Sequence, residues 1–282
     1  MDRVIVVVGA AGRQGGAVMR ALLKDGWHIR ALTRNPDSPK AQALAAAGAE
    51  VVQGNMDDRQ SLQSAFQGAY GVYSVQNPMI SGLEAEVRHG KQVADAAKEA
   101  NVQHLVYGSA GIGKPTGIGS WDSKLQVEAH MKSLGLPVTI LRPVAFMELM
   151  TDKGFYPNVS TWYLMPKFMG DKRPVGWLST TDLGIIAAKA FAAPEQFVGQ
   201  DIRLSSDVKS IEECWAIYRD VMDKNPSRFP MPVWMFKRFV GTDLITMWQW
   251  LSTADIDFNP ESTRALHPEA LSVKDWLTTQ RQ

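Results

Sequence analysis

The chain has 282 residues and is 45% hydrophobic, which fits a globular protein of one large domain or of a domain with a smaller lobe. Its formal net charge of +1 argues against nucleic acid or a membrane surface as a partner. The single cysteine, Cys214, excludes an intrachain disulfide and favours a reducing, cytoplasmic compartment, and we expect no signal peptide, membrane span or metal site.

Strands and helices alternate through the first half of the chain. The predicted strands are residues 4–8, 28–33, 50–53, 71–75, 103–109 and 137–141. The predicted helices cover about 15–24, 39 to near 48, 83–100 and 121–134, with a short helix that Asp57 or Asp58 caps and that ends near 68. This alternation predicts an α/β fold of the Rossmann type, a doubly wound parallel sheet with right-handed crossovers.

The pattern changes near Pro143, and seven of the nine tryptophans lie beyond it. A capping box at 210–213 opens one helix, and a second helical stretch covers about 233–251. Segments 181–192 and 201–205 are typical of another helix and strand of the core. We therefore expect a dinucleotide-binding domain over 1–145 that also takes in about 180–206. A smaller, mostly helical lobe over 146–282 would interleave with it and close over the cofactor site.

Three glycines follow the first strand directly, at Gly9, Gly12 and Gly15. Their G-x-x-G-x-x-G spacing allows a tight turn and lets the backbone approach a phosphate closely. The helix that follows directs its free N–H groups and positive dipole end at the same anion. We interpret this as the pyrophosphate site of a dinucleotide. An ordinary glycine-rich turn between a strand and a helix is the alternative.

The end of the second strand indicates which dinucleotide binds. NAD sites usually place an acidic residue there to hold the ribose 2′-hydroxyl. This chain has Thr33 followed by Arg34, and Arg13 lies inside the glycine turn. A guanidinium offers a 2′-phosphate a planar fork of donors, so the sequence favours NADP(H) over NAD(H).

Several segments resemble the NmrA-like family of atypical short-chain dehydrogenase/reductases, and the likeness spans nearly the whole chain. The segments are residues 9–16, 32–36, 52–58, 141–143 and 271–277. The family contains fungal nitrogen-repression regulators, NADPH sensors of the human type, and NADPH-dependent reductases of quinones and triphenylmethane dyes. The resemblance therefore implies an NADP(H)-binding protein.

The resemblance also implies roles for individual residues. The glycine turn would hold the pyrophosphate, Arg34 the 2′-phosphate, and Lys124 the nicotinamide ribose. The predicted cofactor-binding residues are Gly9, Ala11, Gly12, Arg13, Gln14, Gly15, Arg34, Asn55, Met56, Gln76, Asn77, Lys124, Phe146 and Glu148. The chain departs from the family at two positions: sensor members have lysine where Ser38 stands, and many members have Asn at Leu149.

The chain lacks the catalytic tyrosine of active short-chain dehydrogenases. Active short-chain dehydrogenases carry Tyr-x-x-x-Lys on one helix face, whereas this chain has Ser120 and Lys124 at that spacing. A serine is a poor general acid near neutral pH, so ordinary alcohol dehydrogenase chemistry is disfavoured. The predicted catalytic residues are Lys124 and Ser109. The Ser109 hydroxyl would either polarise an acceptor oxygen or cap its own loop, and Tyr107 would polarise that oxygen if its side chain faced the cleft.

Two functions follow from these residues. The first is an NADPH-dependent reductase of a small hydride acceptor, such as a quinone, which takes its proton from water. The second is a non-catalytic NADP(H) sensor that binds a regulatory protein partner. The sequence leaves homo-oligomerisation open. Most aromatic residues of the last lobe are expected in its core, and a few of 146–147, 162–163 and 234–250 are expected to line an acceptor slot.

Overall fold

The computed structural model describes residues 3–152, 160–228 and 230–281. These residues divide into two compact units. The first unit consists of Met1–Arg142 and Leu183–Ile202, and the second of Pro143–Asp182 and Arg203–Gln282. Each unit is described by itself below.

Ten strands are present in the described residues. They are β1 (Val4–Val8), β2 (His28–Thr33), β3 (Glu50–Gln53), β4 (Gly71–Ser74), β5 (His104–Gly108), β6 (Val138–Pro143), β7 (Ala145–Phe146), β8 (Val175–Leu178), β9 (Asp201–Leu204) and β10 (Asp207–Lys209).

The α-helices of the first unit surround its sheet. They are α1 (Arg13–Lys24), α2 (Pro39–Ala46), α3 (Arg59–Phe66), α4 (Pro78–Ser81), α5 (Leu83–Glu99) and α6 (Gly119–Ser133), joined by most of α8 (Thr180–Ala192) and by α9 (Pro194–Phe197). Those of the second unit are α7 (Met165–Met169), α10 (Ile211–Met222), α11 (Val233–Phe239), α12 (Asp243–Leu251), α13 (Pro260–Leu266) and α14 (Val273–Thr279).

The sheet of the first unit has seven strands in the order β3-β2-β1-β4-β5-β6-β9. The pairings from β3 through β6 are all parallel. The strand order reverses at β1, where the chain leaves one side of the sheet and returns on the other. The prediction of a doubly wound Rossmann fold is thus confirmed, and its parallel strands end at one common edge, where such folds bind ligands.

One face of this sheet packs against helices that carry small residues. Val93, Ala94 and Ala97 of α5 lie in the same buried cluster as Val72 and Leu105 of the strands. Helices α5 and α6 also approach each other closely, because a Cβ atom at Gly90 would lie 2.6 Å from both methyl groups of Val127. This contact holds the middle of α6 close against α5.

The second unit has a core rich in aromatic residues around a three-stranded sheet of order β10-β8-β7. Trp162 lies edge-on to Trp215 and Tyr218, with ring centroids 5.8 and 5.5 Å apart, and its indole donates to the carbonyl of Met150 at 3.1 Å. The expectation that most of these aromatic side chains form core agrees with this arrangement. Trp234 differs, since it is 70% exposed.

Three features differ from the predicted elements. Helix α1 begins at Arg13 rather than near Gly15, because Gly12 is its N-cap and the Gly16 amide already bonds to the Gly12 carbonyl at 2.8 Å. The predicted helix over 233–251 is two helices, since Gly241 has φ of +98° and ends the first of them. Strands β7, β8 and β10 were not predicted. No helix in the described ranges is long and apolar enough to cross a membrane.

Candidate functional site

The turn between β1 and α1 is built so that glycine is required. Gly9 has φ of +81°, and its carbonyl accepts a hydrogen bond from the Gly12 amide at 2.8 Å. A Cβ atom at Gly15 would lie 2.3 Å from the Gly9 oxygen and 2.5 Å from its carbonyl carbon. The helix therefore approaches the preceding peptide as closely as a glycine permits. Gly12 provides no side-chain cap, which leaves the first turn of α1 suited to an anion.

The other residues predicted around this turn take different positions. Ala11 is exposed and Arg13 is half-buried at the start of α1. Gln14 turns inward: its Oε1 atom is buried without a hydrogen-bond partner among the described residues. It lies 3.3 Å from where a Cβ atom of Gly108 would be, at the end of β5. Gln14 thus extends from the glycine turn toward the neighbouring strand ends.

The ends of β2 and β3 bring the predicted phosphate and adenine residues to one edge. Thr33 pairs with Gln53, and the Gly54 amide donates to the Thr33 carbonyl at 2.9 Å. Arg34, which follows directly, is exposed and makes no hydrogen bond or ion pair within the described part of the chain. Its guanidinium is therefore available to an anionic ligand. Ser38 is occupied as the N-cap of α2, accepting from the Ala41 amide at 3.2 Å.

The loop after β3 is held by its own side chains. Asn55 accepts a hydrogen bond from the Asp57 amide at 3.1 Å, and its own amide donates to the Ser61 hydroxyl at 2.9 Å. Met56 packs against the core of the first unit. Asp57 lies 2.9 Å from the imidazole of His89 and 2.9 Å from the Arg88 guanidinium, and these two contacts hold the pKa of its carboxyl below the usual value. The loop is thereby attached to α5.

Gln76 and Asn77 follow β4 and differ in burial. The Gln76 amide donates to the Ser74 hydroxyl at 2.9 Å, while its Oε1 atom is buried and has no partner among the described residues. A buried, unsatisfied acceptor normally has a ligand or water as partner. Asn77 is exposed and accepts from the Met79 amide at 3.0 Å as the N-cap of α4.

Lys124 lies at the same edge and is held by two acceptors. Its ammonium donates to Glu86 Oε1 at 2.8 Å and to the Gln76 carbonyl at 3.2 Å. Glu86 is completely buried in the first turn of α5, and its other oxygen accepts from the Ser123 hydroxyl at 2.5 Å. The structure thus brings Lys124 next to Gln76 and adds Glu86, while a ribose site formed by these residues stays a prediction.

The tyrosine on β5 does not face an open cleft. Tyr107 is fully buried, and the Lys124 ammonium lies 5.7 Å from the centre of its ring. Burial raises the pKa of the Tyr107 hydroxyl well above its usual value, and the charges of Glu86 and Glu128 raise it further. The hydroxyl is therefore protonated at any physiological pH and is a weak acid. Ser120 lies one helical turn before Lys124, in the first turn of α6.

Ser109 belongs to a buried polar network. Its hydroxyl donates to Glu128 in a short hydrogen bond and accepts from Arg142 at 3.2 Å. Arg142 also binds Glu128 at 2.5 Å and Asp201 through two bonds of 2.5 and 2.8 Å. Since both the proton and a lone pair of Ser109 are engaged, the geometry gives this serine a structural role in the network, and its catalytic assignment stays a prediction.

Phe146 and Glu148 belong to the second unit. Phe146 ends β7 and is buried, and a short 3-10 turn, Met147–Met150, follows it. Glu148 Oε1 accepts from the amide and the hydroxyl of Thr180, at 2.9 and 2.7 Å. Its Oε2 atom is buried without a partner among the described residues. Burial raises the pKa of Glu148, although the hydrogen bonds from Thr180 act in the opposite direction.

Two buried carboxylates were missed by the sequence analysis. Glu86 lies on the stripe of α5 that contains Gly90, Val93 and Ala97, and Glu128 is next to Val127 on the inner side of α6. A carboxylate on the apolar stripe of an amphipathic helix is the signal that could have revealed Glu86, because such a group needs a buried partner. Glu128 gives no such signal, because the buried side of α6 also carries Ser123 and Lys124.

Comparisons with known proteins give a consistent family. The model of the NmrA-like family matches residues 1–277. The NmrA-like family domain-containing oxidoreductase malD of Malbranchea aurantiaca is 31% identical over 268 residues, which are 85% of this chain and 79% of that protein.

Solved structures have the same fold over nearly the whole chain. The triphenylmethane reductase of Citrobacter sp., complexed with NADP(H), has a TM-score of 0.79 at 20% identity and full coverage of both chains. NmrA, a negative transcriptional regulator, in complex with NADP, has a TM-score of 0.78 at 21% identity, covering 98% of this chain and 94% of its own. An NADPH-dependent quinone oxidoreductase of Escherichia coli has a TM-score of 0.73 at 20% identity, covering 99% of each chain.

Proposed function

This chain belongs to the NmrA-like family, and on that premise we propose that it is an NADPH-dependent oxidoreductase that reduces quinones or similar flat, electron-poor aromatic acceptors. The observation that carries this proposal is the Lys124 ammonium, held at the end of β4 by Glu86 and the Gln76 carbonyl. Its relatives include proteins named as oxidoreductases, and folds of this kind include a dye reductase and a quinone oxidoreductase.

The chain's own residues fit an NADP(H) molecule. The glycine turn before α1 lacks the Cβ atoms that would fill it, and the buried oxygens of Gln14 and Gln76 lack partners among the described residues. Arg34 is exposed and has no partner among the described residues, which suits a 2′-phosphate, whereas a carboxylate at that place would repel the phosphate. The proposal also assigns Phe146 and Glu148 to cofactor binding, and it assigns the acceptor-binding lobe to the second unit.

The chemistry divides between cofactor and protein. The nicotinamide, when bound, supplies the hydride. In our proposal Lys124 and Gln76 hold the ribose beside it, which fixes the orientation of the ring. A quinone or a cationic dye takes up hydride without a strong protein acid, because its reduced form takes the proton it needs from water. The replacement of the usual tyrosine by Ser120 is therefore compatible with such acceptors.

A buried free thiol at Cys214, whose pKa burial raises, agrees with a reducing cytoplasmic location.

A second function, a non-catalytic NADP(H) sensor with a regulatory partner, is favoured by a separate observation. The hydroxyl of Ser109 is engaged by Glu128 and Arg142, and Ser120 stands in place of the tyrosine. A protein with these groups binds the cofactor without needing a proton donor. The structure of NmrA, named a transcriptional regulator, has the same fold.

NADPH consumption tests the two functions against each other. The purified protein is assayed by absorbance with quinones, cationic dyes and enones, with NADH as the comparison. We expect saturable turnover with NADPH, loss of turnover in Lys124→Met, and wild-type turnover in Lys132→Met, an exposed lysine on the same helix. Tight NADPH binding with no reduction of any acceptor would instead favour the sensor.

A further inference from the structure

We propose that Glu86 is a positioning residue whose carboxylate keeps the Lys124 ammonium charged and aimed at the ribose-binding edge of the sheet. The inference rests on the proposed function, because it assigns to Glu86 an effect on cofactor binding that is exerted through Lys124. Nothing about Glu86 follows from the position of the lysine in the sequence, since the two residues are 38 positions apart.

The first observation is that Glu86 has no freedom to point elsewhere. The residue is 0% exposed, and both of its oxygens are bound, one to the Lys124 ammonium at 2.8 Å and the other to the Ser123 hydroxyl at 2.5 Å. Ser123 and Lys124 are consecutive on α6. The carboxylate therefore fixes both the start of α6 and the direction of the lysine side chain.

The second observation concerns the donors of Lys124. An ammonium has three N–H groups. One is directed at Glu86 and one at the Gln76 carbonyl. The remaining N–H has no protein acceptor among the described residues, and the Oε1 atom of Gln76 is buried without a partner among them. A spare donor on Lys124 and a spare acceptor on Gln76, the residue whose carbonyl binds that lysine, suit a diol such as a ribose, in which each hydroxyl both donates and accepts.

The third observation is that packing alone does not need this ion pair. The close contact of Gly90 with Val127 already holds α5 against α6. Burying a carboxylate and an ammonium contributes little stability compared with apolar side chains of similar size. The pair is also next to the strand end where Gln76 lies. The position of the Glu86–Lys124 ion pair is therefore explained better by a function in holding the lysine charged than by stabilisation of the fold.

Neighbouring charges do not replace Glu86 as the partner of Lys124. Tyr107, below the ammonium, remains a neutral phenol. Glu128, on the next turn of α6, is bound by Arg142 at 2.5 Å. His89, on the next turn of α5, is 2.9 Å from Asp57. Removing the charge of Glu86 therefore leaves the buried ammonium with no carboxylate of the described residues in contact, which favours the neutral amine as the pH rises.

The test is the affinity for NADPH, measured by fluorescence titration from about pH 7 to about pH 9.5, above the range in which a 2′-phosphate titrates. Three variants are compared with the wild type. Glu86→Gln removes the charge and keeps the shape. Glu86→Asp keeps the charge and retracts it by one methylene. Glu84→Gln makes the same charge change in the same helical turn at an exposed position. Circular dichroism at each pH checks folding.

We expect the NADPH affinity of wild type and of Glu84→Gln to change by less than about twofold across this pH range. The NADPH affinity of Glu86→Gln should fall at least about tenfold between the lowest and the highest pH, because one unit of pH changes the charged fraction of a titrating group about tenfold. Glu86→Asp should bind NADPH about threefold to tenfold more weakly at every pH, because its charge is retained but displaced.

Two results would overturn the inference. One is a Glu86→Gln protein whose NADPH affinity does not depend on pH in this range, whether it equals that of wild type or is uniformly reduced. The other, decisive if Glu86→Gln does not fold, is a Glu86→Asp protein with wild-type affinity. A wild-type protein that binds no NADPH contradicts the proposed function instead, so the two failures are distinguishable.

Discussion

Replacing Gly15 with alanine tests the glycine turn most directly. The new Cβ atom would lie 2.3 Å from the Gly9 oxygen, 2.5 Å from the Gly9 carbonyl carbon and 2.9 Å from the Ala10 nitrogen. All three are backbone atoms, so no side-chain rotation relieves the overlap. The Gly9 peptide has to move by about 1 Å before these atoms reach an ordinary van der Waals distance.

Two opposing effects set the change in stability. Overpacking a rigid site destabilises by about 1–3 kcal/mol. Alanine in a helix is better than glycine by about 1 kcal/mol, which offsets part of that loss. We expect a net loss of up to about 2 kcal/mol, or a Tm lower by up to about 8 °C for a chain of this size. A displacement of about 1 Å in the phosphate-binding peptide should weaken NADPH binding by as much as about 100-fold.

The control is the next residue of the same helix. In Gly16→Ala the Cβ atom would lie 3.1 Å from the Ala10 oxygen, so the peptide has to yield by only a few tenths of an ångström, while the gain in helix propensity is the same. Thermal melts and NADPH titrations of both variants decide the matter. If Gly15→Ala binds NADPH as tightly as wild type, or if the two variants cannot be told apart, our account of the turn is refuted.

Three further predictions concern single side chains. Arg34→Ala should reduce the preference for NADPH over NADH at least about tenfold while leaving the stability within about 0.5 kcal/mol, because the guanidinium is exposed and unpaired within the described residues; titrations with both cofactors check this. Arg142→Met should cost about 3–5 kcal/mol in urea unfolding, because Glu128 is left buried without its partner, and wild-type stability would contradict that. Burial raises the pKa of Glu148, so the folded protein binds a proton at this carboxyl more tightly than the unfolded chain does. Protonation of Glu148 therefore stabilises the fold at low pH, and this stabilisation is lost as the pH rises through the folded-state pKa. Glu148→Gln should therefore have a higher Tm than wild type at about pH 8 and the same Tm at about pH 4, and the reverse order would disprove the sign.

Much of the first unit could be predicted because its signals are local. The strands β2 and β3 have the bounds that the alternation predicts. The caps at Ser38 and Asp58 and the capping box at Ser210 are present as well, since a cap depends on residues three or four positions apart. The second sheet was missed for the opposite reason: β7 pairs with β8 about thirty residues later along the chain, and such a pairing depends on packing that no short window contains.

The sequence by itself determined the glycine turn, the order of strands and helices in the first unit, and the arginine after β2. Each of these depends on backbone conformation or on near neighbours in the chain, so the residue types and their spacing suffice to specify them. The tertiary structure alone decided the partners of the candidate catalytic groups. Glu86 meets Lys124, and Glu128 and Arg142 occupy Ser109, because helices α5 and α6 pack on one face of the sheet. Buried charges must find partners wherever packing places them, and sequence spacing carries no information about that contact.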